Sequence, residues 1–558
     1  MKLKSLPQIQ APLLTMAVSA FLVLIYNVSF WKSFVSATGG AHMGNVPVYL
    51  GAFVVLVLVF NLFLTLVNFR PVIKPVLIFV FMLTSASSYF MNEYGVAIDV
   101  SMVQNVVETD VREAHELLSW DMIRTIVLLG VLPSLIVWRL PLRHAPLRRD
   151  LLIKLGTIGA SLVVAVGLLL LLFKTIAPAV REHREMRLLL TPTNVFQAAN
   201  SYIKHRMQVP TVIAPLGKDA RKGRMWGAAG GAALAAGAAG QGKRTVTVIV
   251  VGETARAMNF SLNGYKRDTN PNLAREDGLV NFTDVSSCGT ATAVSVPCLF
   301  SGMDREEYSP SQARSQEGLL DVLHHAGFDV LWRDNNSGCK GACDRVRYED
   351  MSQPVAGNRF CNKEECFDEH LLEGLPEMIR NAKQDLVIVL HQKGSHGPAY
   401  SHRYPQGFGK FGPVCDTIEL EKCSRESIVA AYDNTILYTD YFLSKTIDML
   451  RQMAQEGTAD TSFIYFSDHG ESLGEKNMYL HGAPYMFSPE EQRKVPMMLW
   501  LSDGFRSRFR IDRSCLAARS DQEFSHDNVF HSTLGLLNVN TAVYNPKLDI
   551  FHACVKGV

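Results

Sequence analysis

Several side chains that could bind a divalent metal ion follow short apolar runs in the second half of the sequence. Glu253 follows TVTVIVVG, Asp468 and His469 follow SFIYFS, and two further histidines, His396 and His481, lie in the same half of the sequence but far from Glu253 along the chain. A mixture of histidine and carboxylate without cysteine favours Zn²⁺ over Mg²⁺. A helix cap or a surface ion pair is the alternative for any one of them, but adjacent Asp468 and His469 after an apolar strand direct two donors into one space.

The stretch SCGTATAVSVPC, from Ser287 to Cys298, holds Thr292 between two cysteines. Coordination to a metal ion lowers the pKa of a hydroxyl group and produces a nucleophile able to attack phosphorus or sulfur. A disulfide between Cys288 and Cys298 would restrict this loop, and a helix beginning here would direct its first N–H groups at the transferred group. An ordinary N-cap threonine in a disulfide-bearing turn is the alternative.

The elements that must position these side chains are short apolar runs separated by longer segments. The runs TVTVIVV, FDVLW, DLVIVL and SFIYF alternate with helix-length stretches such as Glu426 to Gln455. This pattern is typical of buried parallel strands in an α/β domain. Because the carboxyl ends of parallel strands form one binding edge, the polar clusters are expected to converge on a single site.

The first third of the chain predicts a membrane domain. Its nearly charge-free stretches mostly approach the roughly 20 residues that cross a bilayer. A cleaved signal peptide is the alternative for the first stretch, but its length and the later spans favour a retained anchor. The five predicted spans are Ala11–Phe30, Val46–Val67, Pro75–Met91, Met122–Trp138 and Leu155–Ala177.

Charge in the short loops predicts the orientation of these spans. If the spans alternate, most loop lysines and arginines, from Lys2 and Lys4 to Arg148 and Arg149, fall on one side, which places the amino terminus in the cytoplasm. Five crossings then put everything after Ala177 outside. The formal net charge is only +2 and the outer region has no basic stripe, which argues against a nucleic-acid partner.

All ten cysteines lie in the outer portion, a distribution typical of an oxidising compartment. The pairs Cys339/Cys343 and Cys361/Cys366 could in isolation bind zinc, but the topology favours disulfides. Spacing alone does not fix connectivity. Nearest-neighbour pairing would join Cys288 to Cys298, Cys339 to Cys343, Cys361 to Cys366, Cys415 to Cys423 and Cys515 to Cys554.

Composition divides the chain into three predicted regions. Residues 1–180 form the membrane domain, 181–243 a bridging segment and 244–558 the outer domain. The bridge contains a helical pattern between Val180 and Arg206 that would lie on the membrane surface or pack on the next domain. It ends in WGAAGGAALAAGAAGQG, Trp226 to Gly242, which has too little side chain to form a core and is predicted to be a flexible linker.

Six segments together resemble the phosphoethanolamine–lipid A transferases, the family that includes the mobile colistin-resistance enzymes. They are VIVVGETARAMNFSLNGYKRDTNPNL, SCGTATAVSVPC, WRDNNSGCKG, LHQKGSHGPAY, YDNTILYTD and SDHGESLGE with YLHGAPY. The resemblance runs from the membrane segment to near the carboxyl end. It implies a fold with a domain of five transmembrane helices, a bridging segment, and an α/β periplasmic domain of alkaline-phosphatase and sulfatase type.

The resemblance also assigns roles to individual residues. Thr292 would be the nucleophile that becomes modified with phosphoethanolamine. His396 and His481 match histidines that bind the substrate phosphate or a second zinc ion, and either could move a proton at the reacting oxygens. Ser337 and Lys340 match positions that contact the phosphoethanolamine group. The catalytic zinc would be held by Glu253, Thr292, Asp468 and His469.

The loop between the third and fourth spans holds a second group of candidate residues. In QNVVETDVREA, Asn105, Thr109 and Glu113 have the i, i+4, i+8 spacing of one helical face. These positions match residues of the family that contact the ethanolamine end of the substrate. A solvated acidic helix is the alternative explanation of the pattern.

The implied reaction carries phosphoethanolamine from phosphatidylethanolamine to a lipid A phosphate through a covalent threonine intermediate. The enzyme would be a multi-pass protein of the Gram-negative inner membrane, among that membrane's lipids, with its catalytic domain in the periplasm. Its product carries an added cation, which should weaken the attraction of polymyxin. No segment of the sequence indicates an obligate protein partner.

Three alternatives share parts of this evidence. A related transferase could modify an inner-core sugar or a periplasmic glucan, and a phosphodiesterase or sulfatase could use the same ligands with water as acceptor. A membrane sensor would have no reason to keep Glu253, Thr292, Asp468 and His469 together.

Overall fold

The computed structural model describes residues 8–108, 117–143, 145–207, 212–226 and 243–556. The chain forms two compact units. The first comprises Met1–Val103 and Leu118–Tyr202, and the second comprises Gln104–Leu117 and Ile203–Val558. The domain boundaries at residues 180 and 243 stay predictions, and the predicted linker lies almost wholly outside the described residues.

The first unit is helical, and its helices are apolar enough to cross a membrane. Four described helical stretches have the length and composition of a span, and one of them, Trp120–Arg139, consists of α6, a π-helical turn (Ile126–Val131) and α7. A fifth crossing results if a bent pair, α1 and α2, counts as one. This agrees with the five predicted spans. The helices are α1 (Ala11–Ile25), α2 (Val28–Ala37), α3 (Val46–Leu66), α4 (Ile73–Glu93), α5 (Val100–Glu108, whose last residues belong to the second unit), α6 (Trp120–Thr125), α7 (Leu132–Arg139), α8 (Leu147–Glu182) and α9 (Thr193–Met207).

The first predicted span is not one straight helix. α1 and α2 meet at an angle of 66°. Asn27 lies at the break, where its side-chain amide donates to the carbonyls of Leu22 and Thr191, and its side-chain oxygen accepts from the Thr191 N–H. A buried amide that completes the hydrogen bonds of a broken helix makes such a bend tolerable in an apolar environment.

The second unit is built around an eight-stranded sheet. Its spatial order is β8-β2-β7-β6-β1-β5-β3-β4, and all pairs are parallel except the two that β7 makes with β2 and β6. The strands are β1 (Arg244–Gly252), β2 (Val280–Ser286), β3 (Asp329–Asp334), β4 (Arg347–Asp350), β5 (Leu386–His391), β6 (Ala459–Ser467), β7 (Lys494–Leu501) and β8 (Glu523–Ser525).

Helices and loops cover both faces of this sheet. Consecutive residues of β1 alternate between the two cores, because Ile249 and Val251 pack on one face while Val248 and Val250 pack on the other. This explains why the central strands are continuous apolar runs rather than alternating ones. The helices are α10 (Thr292–Ser301), α11 (Pro310–Ser315), α12 (Leu319–His325), α13 (Leu375–Asn381), α14 (Arg425–Gln455), α15 (Asp503–Arg508), α16 (Arg513–Ala517) and α17 (Asp527–Leu536).

Disulfides join every cysteine of the second unit. The nearest-neighbour pairing is confirmed at all five positions, Cys288–Cys298, Cys339–Cys343, Cys361–Cys366, Cys415–Cys423 and Cys515–Cys554. The first of these bridges the loop before α10 to the middle of that helix. It therefore restricts the segment that carries Thr292, as the sequence predicts.

Candidate active site and metal centre

Four neighbouring parallel strands, β6, β1, β5 and β3, deliver the candidate residues to one edge of the sheet. Glu253 follows the last residue of β1, and Asp468 follows the last residue of β6. Asn336 comes shortly after β3, and His391 ends β5. The polar clusters therefore converge at the carboxyl ends of the strands, as expected for this class of sheet.

Thr292 begins α10 and directs its hydroxyl group into this cluster. Its Oγ1 lies 3.2 Å from each carboxylate oxygen of Glu253 and 3.2 Å from Nε2 of His469. Glu253 and His469 are completely buried, and Thr292 is 9% exposed. The structure thus brings the predicted nucleophile into contact with two of the predicted metal ligands.

The cluster has more electron-pair donors than it has protons. His469 Nδ1 lies 2.9 Å from the Gly470 carbonyl and donates its proton there, which leaves Nε2 as a bare lone pair. That Nε2 faces Glu253 Oε1 at 3.4 Å and Asp468 Oδ2 at 3.3 Å. Asp468 Oδ2 is itself buried and has no hydrogen-bond donor among the described residues. Such convergence of lone pairs is the arrangement that binds a cation.

Burial and neighbouring charges shift the pKa values of Asp468 and His469, and a bound cation would stabilise the ionised carboxylate beside the neutral imidazole. Burial and the neighbouring Glu253 carboxylate raise the pKa of Asp468 well above its usual value. Burial lowers the pKa of the His469 imidazole to about 3, so that it stays neutral. Ligand atoms of Glu253, Asp468 and His469 all lie within 4.8 Å of one another and could hold one metal ion. Two carboxylates, an imidazole nitrogen and a nearby hydroxyl suit zinc.

Asn336 and His391 support the Glu253 carboxylate. The Asn336 side-chain amide donates to Glu253 Oε2 at 2.6 Å and to the Gln392 carbonyl at 3.0 Å. His391 lies behind Asn336, with its Nε2 3.4 Å from the Asn336 amide nitrogen and its Nδ1 3.0 Å from Asp334 Oδ2, and the side chains of His391 and Asp334 are fully buried. These contacts fix the rotamer of Glu253 from the β3 side of the site, which is how outer-shell partners orient metal ligands.

His396 and His481 lie beside His469. The ring centroids of His469 and His481 are 4.4 Å apart, and those of His396 and His481 are 5.4 Å apart. His481 Nδ1 contacts Glu471 Oε2 at 2.9 Å, while the other Glu471 oxygen accepts a hydrogen bond of 2.5 Å from the Tyr400 hydroxyl. Burial lowers the pKa of His481, but the Glu471 carboxylate outweighs it and raises that pKa to about 9.

If His481 acts on the substrate as the sequence predicts, Glu471→Gln should reduce turnover about 10- to 100-fold, the usual effect of removing a carboxylate behind such a histidine. The amide keeps the size of the side chain but no longer favours a protonated, fixed His481. Tyr400→Phe should give a smaller loss, since Glu471 keeps its contact with His481. Initial transfer rates measure both effects. Glu490→Gln, at an exposed position, is the matched control, and a Glu471→Gln protein as active as that control would contradict the role of Glu471.

Ser337 and Lys340 follow Asn336 on the same loop. The Lys340 ammonium group donates to the Ser337 hydroxyl at 2.9 Å and to the Ser337 carbonyl at 3.0 Å. Asn105 lies in α5, in the part counted with the second unit. Thr109 and Glu113 fall outside the described residues, so their alignment with Asn105 stays a prediction.

His526 is a residue of this region that the sequence analysis missed. It is 2% exposed, and its Nδ1 accepts from the Cys288 N–H at 3.1 Å while its Nε2 donates to the Ser467 carbonyl at 3.0 Å. It therefore joins the disulfide loop before Thr292 to the end of β6, just before Asp468. A single histidine between two ordinary polar stretches carries no sequence signal for such a link.

Burial lowers the pKa of His526 to about 3, below its ordinary value of 6.5, so this histidine makes stability depend on pH. Between these values the unfolded chain binds more protons, so the contribution is fully present above pH 6.5 and is lost as the pH falls toward 3. We expect the melting temperature of the chelator-treated protein to fall on acidification. His526→Gln keeps one donor and one acceptor without titrating, and should reduce the slope. An unchanged slope would contradict the assignment.

Comparison with known proteins places this chain in a family. The family model described as Sulfatase matches residues 245–539, and the one described as Phosphoethanolamine transferase EptA/EptB matches residues 56–207. The chain is 40% identical over 540 residues to the phosphoethanolamine transferase EptA of Escherichia coli K12, covering 96% of this chain and 95% of that protein. The chain belongs to the phosphoethanolamine transferase family.

Two further relatives agree with this assignment. The transferase is 38% identical to the phosphatidylethanolamine transferase Mcr-1 of Escherichia coli, over 87% of this chain and 89% of that protein. Its fold matches the integral membrane lipooligosaccharide phosphoethanolamine transferase A of Neisseria meningitidis with a TM-score of 0.91 and 34% identity, covering 98% of this chain and 100% of that one. The predicted fold class, a helical membrane domain with a sulfatase-type α/β domain, is confirmed.

Proposed function

We propose that this transferase carries phosphoethanolamine from phosphatidylethanolamine to a phosphate of lipid A, with Thr292 as the covalent carrier. The observation that supports this most directly is the position of the Thr292 hydroxyl, 3.2 Å from both Glu253 oxygens and from His469 Nε2. A threonine that served only as a helix cap would not need three ionisable-group contacts in a buried pocket.

The first half-reaction forms a bond between the Thr292 oxygen and the phosphorus of phosphatidylethanolamine. The bond from phosphorus to the glycerol oxygen breaks, and His481 or His396 moves the proton released by Thr292 to that glycerol oxygen, so that diacylglycerol leaves as the alcohol. A zinc ion held by Glu253, Thr292, Asp468 and His469 would lower the pKa of the hydroxyl and balance charge on the phosphoryl oxygens. Lys340 adds positive charge near the transferred group.

The second half-reaction transfers the group to the acceptor. An oxygen of a monoprotonated lipid A phosphate attacks the same phosphorus, the bond to the Thr292 oxygen breaks, and a neighbouring histidine moves the proton of the acceptor phosphate to the Thr292 oxygen. Both substrates are lipids, which accounts for a membrane-spanning unit in the same chain. The enzyme would act at the periplasmic face of the inner membrane with its amino terminus in the cytoplasm, and its product would bind polymyxin more weakly.

The test follows the headgroup through both half-reactions. Purified protein in detergent is incubated with headgroup-labelled phosphatidylethanolamine, with and without lipid A, and the label is located by mass spectrometry. Label on the Thr292 peptide that moves to lipid A upon its addition supports the proposal. Release of free phosphoethanolamine alone favours a hydrolase, and label on a core sugar favours the related transferase with a sugar acceptor.

A further inference from the structure

Helix α10, which begins at Thr292, contains a proline in its interior. Pro297 lies inside α10, whose range is Thr292–Ser301. In an α-helix the carbonyl of Ala293 would accept a hydrogen bond from the N–H of residue 297, four positions later. Proline has no N–H, so the helix cannot satisfy the Ala293 carbonyl in this way. This carbonyl belongs to the residue directly after Thr292.

A side chain from a distant part of the sequence supplies the missing donor. The Gln104 side-chain amide donates to the Ala293 carbonyl at 3.1 Å. Gln104 is only 4% exposed, so water does not compete effectively for this bond. Gln104 comes directly before Asn105, in the stretch between the third and fourth spans that is counted with the second unit.

Glu108, one helical turn after Gln104, anchors the same segment at two further points. Its carboxylate pairs with Arg314 of α11, and both side chains are largely buried, at 17% and 20% exposure. Its backbone carbonyl accepts from the Lys340 ammonium group at 3.3 Å. The Gln104 amide also lies 3.3 Å from Glu108 Oε2, so that Gln104 and Glu108 brace each other.

We propose that Gln104 and Glu108 are positioning residues of the transferase, which fix the first turn of α10 and the amine of Lys340 in the geometry needed for attack by Thr292. Pro297 creates the docking point, and the segment Gln104–Glu108 fills it. This inference rests on the proposed role of Thr292. The positioning role is distinct from substrate binding, because neither side chain needs to touch phosphatidylethanolamine.

The bond between Gln104 and the carbonyl is tested by a double-mutant cycle with Gln104→Leu and Pro297→Ala. Gln104→Leu leaves a buried carbonyl unsatisfied and should slow labelling of Thr292 by phosphatidylethanolamine roughly tenfold, with little change in KM. Pro297→Ala restores the helical N–H. In that background the carbonyl no longer depends on Gln104, and Gln104→Leu should cost no more than about twofold.

Equal losses in both backgrounds would overturn the proposal, and so would wild-type labelling rates in Gln104→Leu. Gln312→Leu is the matched control, because the Gln312 side chain is exposed on α11. The four proteins of the cycle, which are the wild type, the two single variants and the double variant, are also compared by melting temperature. If the effects of the two substitutions on the melting temperature are coupled, this supports the docking contact independently of enzymatic activity. A wild-type protein that never acquires label on Thr292 would instead count against the proposed function, while the melting cycle still tests the contact.

A second pair of variants avoids any change in α10. Glu108→Arg or Arg314→Glu alone places two like charges side by side in a largely buried contact, and each should slow Thr292 labelling at least about tenfold. The double variant with reversed charges should recover part of the rate, because it restores the ion pair but not the acceptor at position 108 for the Gln104 amide. Failure of the double variant to recover, with all three proteins retaining the wild-type melting temperature, would contradict a positioning role for this ion pair.

Discussion

Replacing Thr292 with valine is expected to reduce transfer of phosphoethanolamine by about a thousandfold or more, because the oxygen proposed to attack phosphorus is lost. Valine has the shape of threonine and keeps the β-branch at the first position of α10, so the disulfide loop and the helix should form as before. Transfer to lipid A and covalent labelling at position 292 measure the effect. Both should disappear together.

Thr292→Ser is the matched comparison, since it retains a hydroxyl group at the same position. It should keep covalent labelling at a reduced rate, because serine lacks the methyl group that restricts the rotamer. A Thr292→Val protein that still passes the headgroup to lipid A would show that the carrier is another residue, or that transfer is direct.

If Asp468 is a zinc ligand as proposed, Asp468→Asn should remove tightly bound zinc and reduce transfer about a thousandfold. The unsatisfied Oδ2 atom of Asp468 faces His469 Nε2 at 3.3 Å, and an amide there would donate into the lone pairs that otherwise hold the cation. Elemental analysis of the purified protein measures the zinc content. Ligand binding stabilises the folded state, so zinc should raise the melting temperature of the wild-type protein and leave that of Asp468→Asn unchanged.

Chelation of the wild-type protein provides the comparison for this variant. Removing the metal should reproduce the loss of transfer and the lower melting temperature, and added zinc should reverse both. Equal zinc content in Asp468→Asn and wild type would exclude Asp468 as a ligand, whatever the effect on rate. Two zinc ions per wild-type chain would direct attention to His396 and His481.

The convergence of the candidate residues could be predicted from the sequence, because the order of the strands determines where the residues that follow them lie. Glu253 and Asp468 each come directly after a continuous apolar run, and parallel strands bring such positions together at one edge. The spacing of Cys288 and Cys298 likewise indicated a constrained loop around Thr292. These features are local in sequence and need only one assumption about the fold.

The supporting residues could not be predicted, because their partners are far away in the chain. Gln104 acts on Ala293 and His526 acts on Cys288 and Ser467, contacts that only tertiary packing creates. Pro297 was a usable signal, since a proline inside a short helix always frees one carbonyl. The sequence could not say which donor would find it. In the same way, the sequence around Asn27 does not indicate the bend between α1 and α2 that the Asn27 side chain stabilises.

The order of strands in the main sheet also bears on biosynthesis. β1 occupies the centre, yet its neighbour β6 begins at Ala459, more than two hundred residues later in the chain. A nascent polypeptide therefore exports Thr292 long before Asp468 and His469 follow it, and cannot complete the centre of its sheet until then. Such long-range pairing folds slowly. The yield of folded enzyme should therefore depend more strongly on chaperones that bind incompletely paired sheets than the yield of a helical membrane protein of equal length.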